Sequence, residues 1–247
     1  YSGLKFKKDF FIGYSPEHIS VGDKNKNLKN ITKIISSEPK NKITHLKEVY
    51  SKILKNKLYE AESIEVAEFA KVFENTQRDL NIALMNEIMI LCDRTNLNFF
   101  EVIRLARSKW NFLNFSPGLV GGHCLPVDPY YLSYFANKSN FKTKVTLAGR
   151  NINNSMEEFI FRIIYKKILQ IKKYSNKKII IAGLTYKPNV ADLRNSLAIK
   201  IFKKLKKKIS NIEAFDPLID EKLAKKLNIE NKFENIKQSD IFIFLVK

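Results

Sequence analysis

From Ile64 to Asn96 the chain contains neither proline nor glycine, and Val66, Phe69, Ala70, Phe73, Leu80, Ala83, Leu84, Ile88 and Leu91 recur in it at helical intervals. That run predicts one helix of about 45–50 Å at 1.5 Å per residue, which fixes the scale of whatever surrounds it. It presents more apolar surface than a single short helical layer covers, so a homodimer built on helices is expected. Ahead of it, Phe10 to Tyr14 reads as a short strand, Ile43 to Leu54 as a helix and Leu58 to Glu60 as a strand. Behind it come helices over Asn98–Ser108, after Pro129 and over Val145–Lys172. The pattern then changes to a strand at Ile179–Ala182, a helix over Asn195–Lys207, a strand at Ile212–Phe215 and a last strand from Asp240 to Val246. Strands and helices alternating at this spacing predict an α/β fold whose C-terminal part is a parallel, doubly wound sheet, incomplete at Lys247.

The 247 residues are 45% apolar, enough to bury a substantial core. No apolar stretch approaches the roughly 20 residues a membrane span requires, so no membrane partner is expected. Two cysteines far apart and three histidines give no zinc-ligand spacing and suggest a reducing, cytoplasmic setting. A net charge of +19 would ordinarily point to nucleic acid. Here the lysines are spread along the whole chain, and runs such as Lys203 to Lys208 close an amphipathic helix, where cations suit the negative end of the dipole. Nucleic-acid binding is therefore not expected. No Gly-x-Gly-x-x-Gly occurs among the eight glycines, so a dinucleotide fingerprint would have to lie before Tyr1.

Chemistry concentrates in Gly121-Gly122-His123-Cys124-Leu125-Pro126-Val127-Asp128-Pro129. Glycine allows close approach to the backbone and leaves N–H groups for an oxyanion, which is how a thiol nucleophile is presented to a carbonyl. The bland alternative, a small buried hydrophobe, suits Cys92 inside its apolar helical run. Cys124 has no periodic surroundings, and Asp128 follows it by four residues. His123 is adjacent to the thiol in sequence, and adjacent side chains diverge. On the long helix Lys71 and Asn75 stand one turn apart, on one side, and Arg78, Asn81, Asn86 and Glu87 continue an amide-rich polar stripe. Such a stripe is either a solvated face or a supply of cation and amide for a charged intermediate.

Four segments, in order, carry a resemblance: Ser15-Pro16-Glu17; Ala67-Glu68-Phe69-Ala70-Lys71 through Asn86-Glu87; Pro117 to Cys124 with Val127-Asp128-Pro129-Tyr130-Tyr131; and Gly183-Leu184-Thr185-Tyr186-Lys187-Pro188 with Asp192-Leu193-Arg194-Asn195-Ser196. Over nearly its whole length the chain resembles the UDP-glucose/GDP-mannose dehydrogenase family. The lead-in Trp110 to Phe115 is similar to bacterial UDP-N-acetylglucosamine and UDP-N-acetylgalactosamine 6-dehydrogenases of polysaccharide synthesis.

That resemblance implies residues 1–63 as the remainder of an N-terminal Rossmann-like dinucleotide-binding domain and 64–174 as a central helical dimerisation domain with the cysteine loop. Residues 175–247 become a truncated Rossmann-like UDP-sugar-binding domain. It further implies oxidation of a sugar C6 hydroxyl to a carboxylate with two NAD. Cys124 forms a thiohemiacetal and then a thioester, Lys71 and Asp128 handle protons or charge, Asn75 orients water or the oxyanion, and Glu17 assists hydrolysis. Phe112, Leu113, Phe115, Gly121 and Lys187 would contact substrate, and Arg194 the cofactor or a domain interface. Two departures stand out. Val21 occupies a position where some family members carry a second glutamate, and the NAD-binding half would precede Tyr1, which would leave the fragment alone inactive. A non-catalytic dimerisation or substrate-binding remnant and a UDP-glucose 6-dehydrogenase are the alternative readings.

Overall fold

The structure, a computed structural model, describes residues 2–19, 29–54, 58–232 and 241–246. Val21 and Asp240 lie outside the described residues. The chain divides into two compact units, Tyr1–Glu74 and Asn75–Lys247. In the first, β1 (Ile12–Tyr14), β2 (Lys33–Glu38), α1 (Ile43–Ser51) and β3 (Leu58–Glu60) form a three-stranded sheet with β2 at its centre. β1 pairs antiparallel and β3 parallel with β2, and α1 supplies the crossover a parallel pair requires.

β2 has no counterpart in the sequence reading. Its letters, Lys-Ile-Ile-Ser-Ser-Glu, look too polar for a buried strand, yet Lys33, Ser36 and Ser37 are all buried. The structure supplies partners for Lys33 and Ser37, while the Ser36 hydroxyl makes no hydrogen bond among the described residues. The Lys33 ammonium donates to the Pro16 carbonyl at 2.6 Å, and the Ser37 hydroxyl to the Pro39 carbonyl at 3.1 Å.

The long helix, α2 (Ile64–Thr95), is unbroken, as its periodicity predicts. Its burial departs from the ordinary amphipathic pattern. Asp79 and Asn86 have no exposed surface, and Asn75 is buried with them beside Ala67, Ala83, Met85 and Cys92. Phe69, Phe73, Leu84 and Leu91 are about half exposed or more, Phe73 at 57%.

In the second unit follow α3 (Phe99–Ala106), α4 (Asp128–Lys138), α5 (Lys144–Leu169), β4 (Ile179–Ala182), α6 (Leu197–Lys206), β5 (Ile212–Phe215), α7 (Glu221–Leu227) and β6 (Ile241–Phe244). α4 starts at Asp128, ahead of Pro129 rather than after it, because a proline in the first turn lacks an N–H that would have no intrahelical partner. α7 is absent from the sequence reading. It is short and charged, but is set by local signals: Asp220 accepts from the Leu223 N–H at 2.9 Å, and Asn228 ends the helix in the left-handed conformation at φ +53°.

β4 lies between β5 and β6, all parallel. Its four residues, Ile-Ile-Ile-Ala, are all buried, the continuous apolar run of a strand covered on both faces. Ile179 and Ile181 join Ile168 of α5, Ile201 and Leu205 of α6, and Ile212 in one core. Each such side chain contributes about 1.5–3 kcal/mol on burial. Long helices with a parallel sheet make this the α/β class expected.

Candidate active site

Cys124 is exposed at the turn that leads into α4, whereas Cys92 is buried. The Cys124 carbonyl accepts the N–H groups of Val127 at 3.0 Å and Asp128 at 2.8 Å, which folds the segment so that Asp128 opens the helix. The Asp128 carboxylate in turn accepts from the Asn75 amide at 2.6 Å. Asn75, Cys124 and Asp128, singled out from sequence, are thus brought together. Asn75 is engaged with the carboxylate, so its observed part is to hold Asp128.

The glycine pair corrects one expectation. Gly122, at φ +85°, donates its N–H to the Arg194 carbonyl at 3.0 Å, so that amide is not available to an oxyanion. The Asn195 amide donates to the Gly122 carbonyl at 2.9 Å. A Cβ on Gly121 would come within 2.9 Å of both the Asn195 carbonyl oxygen and Tyr186 Cβ, and one on Gly122 within 2.9 Å of the Tyr186 ring. Glycine is required here because the 183–196 segment, rather than a ligand, approaches the loop.

That segment carries Lys187 and Arg194. Arg194 is exposed and ion-paired with Asp192 at 2.6 Å, and the guanidinium holds the Asp192 carboxyl below the usual range. The Tyr186 phenol is pushed up by burial, then by the negative charge of Asp192 and by Cys124, with Arg194 pulling the other way. Cys124 therefore lies within electrostatic reach of Tyr186 and Arg194. Lys187 is half-buried, its ammonium 5.9 Å from the Tyr186 ring centroid. Phe112 and Phe115 are half-buried and Leu113 is exposed, on the segment leading to the loop.

A cavity of about 580 Å³ lies at the C-terminal ends of the strands, between Gly183, Thr185, Pro188, Asp216, Leu218 and Phe244. Parallel sheets hold ligands there. Its loop amides are already occupied: the buried Asp216 carboxylate accepts from Leu184 at 2.6 Å and Thr185 at 3.0 Å.

Behind the cysteine loop, sequence reasoning named Asn86 but missed Asp79, Arg150 and Asn153. Asp79 of α2 accepts from Arg150 of α5 at 2.5 Å, both fully or nearly fully buried. Asn153 donates to the Asp79 carboxylate at 2.7 Å, and Asn86 links Asn153 to Gly118. Gly149 makes the approach possible, since a Cβ there would sit 2.4 Å from Leu80. The signal available in sequence was Asp79, one turn beyond Asn75. The stripe drawn from sequence runs through Arg78, which is exposed.

Glu17 and Lys71 belong to the first unit, in a cluster of charges. Glu17 is exposed, and its carboxylate accepts from the Ile19 N–H at 2.6 Å with Lys33 at 4.0 Å. Partial burial raises its pKa, but the Ile19 N–H, Lys33 and His18 together outweigh burial and leave the carboxyl below its ordinary range. Lys71 donates to Glu74 at 3.1 Å, and His18 stands 3.8 Å from the same Glu74 oxygen. Burial first, then Lys71, lowers the His18 pKa, so at neutral pH its imidazole is uncharged. His18, Lys33 and Glu74 were not singled out from sequence.

Helices bearing a thiol loop beside a parallel sheet define the class to which known proteins can be compared. Residues 65–155 match the central domain, and residues 180–247 the UDP binding domain, of the UDP-glucose/GDP-mannose dehydrogenase family. The chain belongs to that family. It is 44% identical over its full length to Protein CapL of Staphylococcus aureus, covering 59% of that protein. It is 46% identical over 89% of its length to UDP-N-acetyl-D-glucosamine 6-dehydrogenase of Salmonella typhi, covering 52% of that enzyme. The structure of the UDP-N-acetyl-mannosamine dehydrogenase Cap5O from S. aureus superposes with a TM-score of 0.80 at 30% identity, over 99% of this chain and 56% of that one. The chain thus spans about half the length of the relatives it matches. Among the described residues, no helix is long and apolar enough to cross a membrane.

Proposed function

We propose that the whole protein is a cytoplasmic nucleotide-sugar 6-dehydrogenase that oxidises a UDP-N-acetylhexosamine to its uronate, for surface polysaccharide synthesis. The observation that carries this reading is the exposed Cys124 on a loop whose acid, Asp128, is held by Asn75. The gluco sugar is favoured because the Salmonella relative, named for it, is 46% identical, against 30% for the mannosamine enzyme Cap5O. On this reading residues 64–174 are the central domain and 175–247 the UDP-sugar domain. The half-exposed phenylalanines and leucines of α2 support a homodimer through that helix.

The chain has no Gly-x-Gly-x-x-Gly turn, so its residues do not by themselves form a dinucleotide cradle. In the whole enzyme NAD supplies hydride acceptance twice per sugar, and Arg194 is the side chain here that would meet it. The residues of this chain act on the carbon between and after those oxidations. The Cys124 sulfur adds to the C6 aldehyde: an S–C bond forms, the thiol gives up its proton and the carbonyl oxygen gains one. After the second oxidation the carbon is a thioester. Water adds to it, the S–C bond breaks, the sulfur recovers a proton and the carboxylate leaves. Asp128, four residues beyond the thiol, would take and return protons, and Lys71 and Glu17 would stabilise charge and orient the water. Phe112, Leu113, Phe115 and Gly121 would border the sugar, and Lys187 would meet its diphosphate.

With the residues that precede Tyr1 in the whole protein present, UDP-N-acetylglucosamine should yield two NADH per sugar consumed, and Cys124→Ala should abolish uronate formation. Uronate made by that variant at the wild-type rate would sink the mechanism. Turnover confined to UDP-glucose or UDP-N-acetylmannosamine would reassign the substrate.

A further inference from the structure

Resting on the assignment of Cys124 as the nucleophile, we propose that Asn86 is a positioning residue for the cysteine loop, fixed in its working orientation by the buried charge of Asp79. Asn86 meets Gly118, six residues before the thiol, with both ends of its amide. Its carbonyl oxygen accepts the Gly118 N–H at 2.9 Å, and its NH₂ donates to the Gly118 carbonyl at 3.0 Å. The same NH₂ donates to the Asn153 side-chain oxygen at 2.8 Å.

An amide has two orientations, and the groups it meets select one: Gly118 presents an N–H to one end of Asn86 and a carbonyl to the other, and Asn153 has to agree with that choice. Here the series has one allowed direction. The Asn153 NH₂ donates to the Asp79 backbone carbonyl at 3.0 Å and to its carboxylate at 2.7 Å. An ionised carboxylate only accepts, so Asn153 must present its oxygen to Asn86, and Asn86 must present its own oxygen to the Gly118 N–H. Reversing either amide would set oxygen against oxygen and NH₂ against N–H. Burial raises the Asp79 pKa above its ordinary value and the Arg150 guanidinium, 2.5 Å away, opposes that rise; because a guanidinium only donates, Asp79 Oδ1 is an acceptor towards Asn153 as well.

A second arm leaves the same charge. Arg150 donates to Asn154 at 2.7 Å, and Asn154 donates to the Tyr130 hydroxyl at 3.2 Å, on α4 two residues beyond Asp128. One buried carboxylate thus orients the side chains that hold the cysteine loop at its start and at the helix that closes it. Stability alone does not account for such a cluster. Asp79 Oδ2 and Arg150 Nε make no hydrogen bond among the described residues, and a packed apolar pair avoids that desolvation.

The test compares wild type, Asn86→Ala and Asn153→Ala in the full-length protein. It reads hydrogen exchange of the peptide 117–128 together with kcat and KM for the UDP-sugar. Asn86→Ala leaves the Asp79–Arg150 pair intact and is the milder change; unaltered protection of β4 and β5 shows that a variant is folded. Loop exchange should rise roughly tenfold in both variants as local opening becomes easier. The kcat should fall on the order of 10- to 100-fold with KM changed by less than about twofold, since a misplaced nucleophile loses rate rather than binding. Unchanged loop exchange in both variants overturns the proposal. So does a loosened loop with wild-type kcat, which would leave Asn86 a purely structural group. A wild-type protein that oxidises no UDP-sugar refutes the dehydrogenase reading instead, and loop exchange then decides the clamp by itself.

Discussion

The second unit is held together in two different ways. Beneath β4 the interior is aliphatic: Ile179, Ile181, Ile201, Leu205 and Ile212 are all without exposed surface. Between α2 and α5 the interior is Asp79, Arg150, Asn153 and Asn86, equally buried but joined by charge and hydrogen bonds. Apolar burial is non-directional and roughly proportional to area, so the sheet core resists small changes by degrees. The polar seam is directional: each group dictates the orientation of the next, and loss of one leaves its partner buried and unpaired. One region supplies stability, the other geometry. The candidate thiol loop is tied to the directional one.

The largest effect should come from dividing the buried pair. Arg150→Met leaves Asp79 uncompensated and should lower unfolding free energy by about 3–5 kcal/mol. Adding Asp79→Leu removes the stranded charge and should recover most of that loss. The two proteins would be compared by urea denaturation. A double variant no more stable than the single one would show that shape rather than charge governs the seam, and the contrast with the sheet core would collapse.

A change in the sheet core should be comparable in energy but different in consequence. Ile201→Ala removes a side chain with no exposed surface and should cost about 3 kcal/mol, within the usual range of about 2–5. Hydrogen exchange of residues 117–128 under native conditions should nevertheless match wild type, because no hydrogen bond to the loop passes through Ile201. Faster loop exchange in Ile201→Ala would mean that the two regions are not separable.

This division also explains what could be read from the sequence. β4 and α2 were legible because apolar runs and periods are written in neighbouring letters. So was the contrast between Cys92, inside a helical run, and Cys124, on a glycine loop. β2 was not, since its burial depends on Lys33 finding the Pro16 carbonyl, a partner 17 residues away. The polar seam was hidden for the same reason at greater distance, Asp79 and Arg150 being 71 residues apart. An amide-rich face reads as solvated until its partners are placed. Gly121 and Gly122 were recognised as sites of close approach, but nothing in their letters said that Tyr186 and Asn195 would make that approach.

The smallest effect is expected where a polar group sits inside the aliphatic region. The Ser196 hydroxyl is buried, donates to the Leu184 carbonyl at 2.6 Å and caps α6 by accepting the Ile199 N–H at 3.4 Å. Ser196→Ala removes both bonds, yet neither partner orients a further side chain. The cost should therefore be that of one cap, about 1 kcal/mol, well below the figure for Arg150→Met. Chemical denaturation measures it directly. A loss near 3 kcal/mol would mean that hydrogen bonds in the sheet region are as interdependent as those of the seam. Directional coupling would then be a general property of this unit's interior, rather than a feature confined to the groups that hold the cysteine loop.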